Sequence, residues 1–142
     1  MAAVEDHGLE GPVDRWRALR DEVHAEVMER GFDQGRGSFT QHYDTTEVDA
    51  SLLMLPLIGF IDGADPRMLG TIAVIEQDLM SNGLLLRYRT EAGVDGLPGD
   101  EYPFVACSFW VVSAYVAAGG GDDAGRLFDR LVGLTNDVGL LA

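Results

Sequence analysis

Apolar positions along the 142-residue chain follow two rhythms. Val13, Trp16, Leu19, Val23 and Val27 recur at steps of three or four, while Asp14, Arg17, Arg20, Asp21, Glu26 and Glu29 fall mostly elsewhere. That pattern predicts a one-faced helix, opened by Pro12 and stopped by Gly31. A second one-faced helix follows the cap-like pair Asp65-Pro66, sets Leu69, Ile72, Ile75 and Leu79 on one side and ends before Gly83. A third runs from about Asp122 to Thr135 with Leu127, Phe128, Leu131 and Leu134 aligned. Between them lie two segments apolar on every side, about Val48 to Ile61 (SLLMLPLIGF) and about Pro103 to Ala118 (FVACSFWVVSAYVAA). A helix apolar all round must be covered all round, and Pro56 is expected to kink or shorten the first of these two.

The order is therefore amphipathic, buried, amphipathic, buried, amphipathic: an all-α fold of antiparallel helical hairpins, with inner helices shielded by outer ones. Connections from inner to outer helices are short, Asp62-Gly-Ala-Asp65 and Gly119-Gly-Gly121, whereas those from outer to inner are long, Gly31 to Glu47 and Gly83 to Tyr102. Both long loops then gather on one rim, at the N-terminal ends of the inner helices, where function usually sits. Carboxylates there, such as Glu47, Asp49, Asp100 and Glu101, are favoured by the helix dipoles.

Composition narrows the chemistry. A length of 142 residues with 46% hydrophobic content suits one packed core, so the chain reads as a single domain over 1–142. The net charge of −14 opposes nucleic-acid binding. Cys107 sits in an apolar run and reads as a buried structural thiol. The apolar run Phe104 to Ala118 is too short to span a membrane, and MAAVEDHGLEGP lacks the basic start and apolar core of a signal peptide, so a cytoplasmic location is expected. His7, His24 and His42 share no ligand spacing with Cys or acidic residues, and no GxGxxG, GxxxxGK[ST] or GxSxG pattern occurs. No metal or cofactor is implied.

Several stretches, taken together and in order, resemble glycoside hydrolase family 15, which includes glucoamylases and glucoamylase-like trehalases. They are TEVDASLL, LRYRT and the loop-plus-helix GLPGDEYPFVACSFW, with RWRALRDEVHAEVMERGFD before them and AGRLFDRLVGLTNDVGLLA after. The resemblance runs from about Val4 to Ala142. It implies part of an (α/α)6 barrel, about five helices and less than half of the whole, with a sugar pocket on one rim. It also implies an inverting hydrolase acting on α-glucosidic bonds, with an α-glucoside or trehalose as partner. The family's general-acid and general-base glutamates are expected upstream and downstream of these residues, so the chain alone is expected to be inactive. Inversion needs two carboxyl groups about 6.5–9.5 Å apart; adjacent Asp100 and Glu101 point in different directions and are not assigned that role. The alternative is a non-catalytic helical module that binds a sugar or partner through the same rim. The chain departs from the family at Glu101-Tyr102-Pro103-Phe104, where relatives commonly carry a small residue.

By the same resemblance, Arg87 and Tyr88 correspond to an arginine–aromatic pair that meets the sugar. A guanidinium supplies forked donors to hydroxyls, and a ring offers a surface to the sugar's apolar face. The competing reading pairs Arg87 with Glu91 or Asp95 as an ordinary loop arginine. Glu101 is a further candidate, as a hydroxyl acceptor or a helix cap. Tyr43 lies in the other long loop with Asp44 and Glu47, where sugar contact competes with a purely structural turn. Finally, the SLLML and SFWVV faces would leave apolar strips uncovered in a partial barrel, and self-association through them is expected.

Overall fold

The computed structural model describes residues 2–89 and 103–141. Within them a short helix α1 (Ala2–His7) precedes α2 (Val13–Arg30), a hairpin of two-residue strands β1 (Phe32–Asp33) and β2 (Ser38–Phe39), and a 3-10 helix (Ala50–Met54). Helix α3 (Pro66–Leu79) runs into a second hairpin, β3 (Met80–Ser81) and β4 (Leu84–Leu85), and the chain closes with α4 (Val105–Ala117) and α5 (Gly121–Val132). Helix dominates, as the periodicity indicates, and four of the five expected helical segments form α-helices.

The exception is the segment about Val48 to Ile61. It is not an α-helix: the 3-10 helix ends at Met54 and gives way to turns. Pro56 is the cause, since it has no N–H to donate and its ring crowds the carbonyl four residues back. Gly59, at φ 73°, then turns the chain away. The segment still occupies the inner position, for Ala50 and Leu53 are fully buried and join one core with Met68, Ile75, Leu79, Leu85, Cys107 and Val111.

Two further differences are physical rather than topological. Helix α3 buries Met68, Thr71, Ile72, Ile75 and Leu79, whereas Leu69, expected on that face, is exposed. The apolar stripe of α2 exists but has no fully buried member: Trp16, Leu19 and Val23 are 40%, 55% and 49% exposed. Neither hairpin is visible as an apolar period because each strand has only two residues. The second rests on Asn82 and Gly83, both with positive φ (51° and 75°), the twist a two-residue hairpin favours.

Helix starts follow the residues that precede them. The Asp65 carboxylate accepts the Arg67 N–H at 2.9 Å as the N-cap of α3, with Pro66 just inside. Asp49 does the same for the 3-10 helix, accepting from Ser51 N–H at 2.7 Å. Close approaches fix the packing. A Cβ on Gly70 would lie 2.2 Å from the Gly37 carbonyl oxygen, so α3 and the first hairpin meet backbone to backbone. A Cβ on Gly63 would lie 2.3 Å from the Ala117 oxygen, which brings the end of the first inner segment against the end of α4.

Candidate functional site

The opposite ends of those two inner segments are joined by one stretch of the second long loop, Leu85 to Arg87. The Arg87 carbonyl accepts the Ala50 N–H at 2.8 Å, at the start of the 3-10 helix, and the Leu85 carbonyl accepts the Phe104 N–H at 3.0 Å, at the start of α4. The Leu85 N–H in turn donates to Ser108 Oγ at 2.9 Å, a hydrogen bond buried at both partners. Three hydrogen bonds therefore hold the backbone beneath Arg87 to two helix N-termini. The backbone is fixed, while the arginine side chain stays 52% exposed.

The Arg87 guanidinium lies 3.8 Å from the Asp49 carboxylate and 5.9 Å from the centre of the half-buried Tyr88 ring. Among the described residues its carboxylate partner is Asp49; Glu91 and Asp95, the partners considered from sequence, lie outside them, as does Glu101. At such exposure the ion pair holds the side chain only weakly, leaving donors available to a ligand. The result is a cation, a carboxylate and a ring within one small area, a set able to bind hydroxyls and to cover an apolar face.

Tyr43 is placed differently. Its ring lies under the Arg30 guanidinium, 4.3 Å from ring centre to Cζ. Arg30 ends α2 and borders an open recess of about 500 Å³ that Asp33, Thr40, Asp44 and Thr46 also line. Asp44 adopts φ 59°, a left-handed turn position. The structure brings Arg87, Tyr88 and Asp49 together; it gives Tyr43 to Arg30 instead.

A buried carboxylate that sequence reading passed over lies behind the rim. Asp78, 7% exposed in the last turn of α3, receives Arg36 from the first long loop at 2.7 Å and Arg89 from the second at 3.6 Å. Its signal in the sequence is an acidic residue where the helix dipole disfavours one. Away from the rim, the Asp65 carboxyl is held down to about 2 by the Arg67 side-chain hydrogen bonds and its cap hydrogen bond. Burial raises the Tyr115 hydroxyl well above its usual range, reinforced by its hydrogen bond to Glu76, so it remains a neutral donor. Cys107 is buried in the core, as its apolar run indicates. No helix among the described residues is long and apolar enough to cross a membrane.

Comparison with known proteins accounts for the scaffold. The trehalase of Mycobacterium tuberculosis (strain ATCC 25618 / H37Rv) is 42% identical over 139 residues, 98% of this chain and 20% of the relative. The trehalase of Thermoplasma volcanium is 37% identical over 141 residues, 99% of this chain and 22% of its own length. The chain thus spans about a fifth of the curated relatives it matches. A wild-type glycosidase of known structure superposes with TM-score 0.70 at 21% identity, over 84% of this chain and 30% of that one, and a variant of a glycosidase with the same fit was solved with glucose. The sequence model of the glycosyl hydrolases family 15 matches residues 1–136, and the chain belongs to that family.

Proposed function

We propose that these residues form part of an (α/α)6 catalytic domain that hydrolyses trehalose with inversion, and that Arg87, backed by Asp49 and Tyr88, meets a sugar hydroxyl. The observation that carries this reading is the triple anchoring of the Leu85–Arg87 backbone to two helix N-termini, which leaves the arginine exposed on a rigid base. Such preorganisation is what a sugar contact needs, since a ligand then bears little of the ordering cost. The names of the relatives favour trehalose over other α-glucosides. Glu101, which precedes α4 in the sequence, belongs to the same proposal as a hydroxyl acceptor.

General acid and general base are not assigned to any of the 142 residues, so the chain alone is expected to give no turnover of maltose, maltotriose or trehalose. Grafted in place of the matching 139 residues of the Mycobacterium tuberculosis trehalase, it should support hydrolysis of trehalose in preference to maltose. A folded graft that cleaves maltose better than trehalose, or neither, would overturn the proposal.

A further inference from the structure

Asp78 pairs with one arginine from each long rim loop. Its carboxylate takes the Arg36 Nη2 donor at 2.7 Å and lies 3.6 Å from Arg89 Nη2, while its main-chain oxygen accepts Arg89 Nε–H at 3.2 Å. Arg36 is itself built in: its N–H donates to Asp33 Oδ1 at 2.8 Å, and Nη1 donates to the Thr46 carbonyl on the far side of the first loop. Arg89 is two residues from Arg87. Hydrogen bonds from Arg36 to Thr46 and Asp78, then a longer ion pair and a main-chain hydrogen bond from Arg89 to Asp78, thus link the first loop to the backbone that carries Arg87.

Stabilising α3 is an inadequate explanation of Asp78. A carboxylate in the last turn opposes the helix dipole, and Arg89 could cap the orphan carbonyls there without it. Its desolvation must be offset by paired cations, and the fold supplies one from each loop, 11 and 42 residues away in sequence. We infer that Asp78 is a positioning residue that couples the two rim loops, so that the placement of Arg87 depends on the loop that carries Arg36 and Thr46. The consequence for sugar binding rests on the proposed role of Arg87; the coupling does not.

Hydrogen exchange on the 142-residue chain, followed by ¹H–¹⁵N spectroscopy, tests the coupling without any sugar. Arg36→Gln, in the first loop, should speed exchange at the Ala50 amide, which is bonded to the Arg87 carbonyl of the second, by at least roughly tenfold, and Arg89→Gln should do the same at the Gln41 amide, which is bonded to the Glu47 carbonyl. Asp78→Asn should speed exchange at both the Gln41 and the Ala50 amides, while the Ala118 amide at the far end is unchanged. If each arginine substitution affects only its own loop, the inference is overturned; should Asp78→Asn not fold, the two arginine variants still decide. Trehalose hydrolysis by the graft separates the two claims: coupling present in the chain, with Arg87→Gln leaving kcat/KM of the graft unchanged, would sink the sugar reading alone.

Discussion

Replacing Ser108 by Ala removes the acceptor of the Leu85 N–H and nothing else of size. The hydroxyl is 1% exposed, Leu85 is fully buried, and their bond is 2.9 Å long. A buried donor left without a partner costs about 1–3 kcal/mol, offset by a few tenths from the better helix propensity of Ala. We therefore expect Ser108→Ala to lower unfolding stability by about 2 kcal/mol, roughly 5–8 °C in midpoint for a chain of this size. Ser113→Ala, one and a half turns along the same helix, is the control. Its hydroxyl only donates back to the Phe109 carbonyl at 3.2 Å, a bond that competes with the helix rather than anchoring it. That change should be neutral or stabilising by a few tenths of a kcal/mol. Urea titration of both variants gives the difference, and exchange of the Leu85 amide locates it. Equal stabilities, or a Leu85 amide as protected in Ser108→Ala as before, would refute the claim that Ser108 anchors the rim backbone.

Other consequences are testable on the same material. Because the Asp65 carboxyl is depressed to about 2 from an ordinary 3.8, its cap stabilises the fold above pH 4, and that contribution is lost as pH falls from 4 through 2. Asp65→Ala should abolish this portion of the acid limb and cost about 1 kcal/mol at neutral pH. Gly70→Ala should destabilise, since its Cβ would meet the Gly37 carbonyl oxygen at 2.2 Å, whereas Gly125→Ala, with open space around it in α5, should stabilise by about 0.5–1 kcal/mol. The SLLML and SFWVV hydrophobics, expected from sequence to be left uncovered, are buried or half-buried; it is the exposed Trp16, Leu19 and Val23 stripe, with Phe104 and Phe128, that should make the chain self-associate or bind a hydrophobic dye in light-scattering and fluorescence assays. A dye-negative monomer would contradict that expectation.

What the sequence discloses and what it hides divide along physical lines. Helix α5 was legible because Leu127 and Leu131 keep a helical spacing with few competing signals, and α3 because Asp65-Pro66 opens it plainly. The stretch around SLLML was misread in type but not in place: burial follows from composition, whereas the choice between α and 3-10 turned on Pro56 and Gly59. The pair Asn82-Gly83 is a recognised hairpin signal and would have revealed β3 and β4. Arg87 was singled out by resemblance, but its partner Asp49 lies 38 residues away and no local pattern connects them. The same holds for Asp78, whose role depends on two arginines brought in by loops. Long-range ion pairs leave no period to read.

The most direct test of the account is the kinetics of Arg87 substitutions in the trehalase graft. Arg87→Gln removes the forked donors, and the expected fall in kcat/KM for trehalose is about a hundredfold, the loss of roughly 3 kcal/mol of hydrogen bonding to a charged group. Arg126→Gln, at an exposed arginine of α5 paired with Asp123, should leave the value unchanged. If Arg87→Gln stays within about twofold of the unsubstituted graft, with its fold intact by circular dichroism, Arg87 does not meet the sugar and the proposed site is wrong.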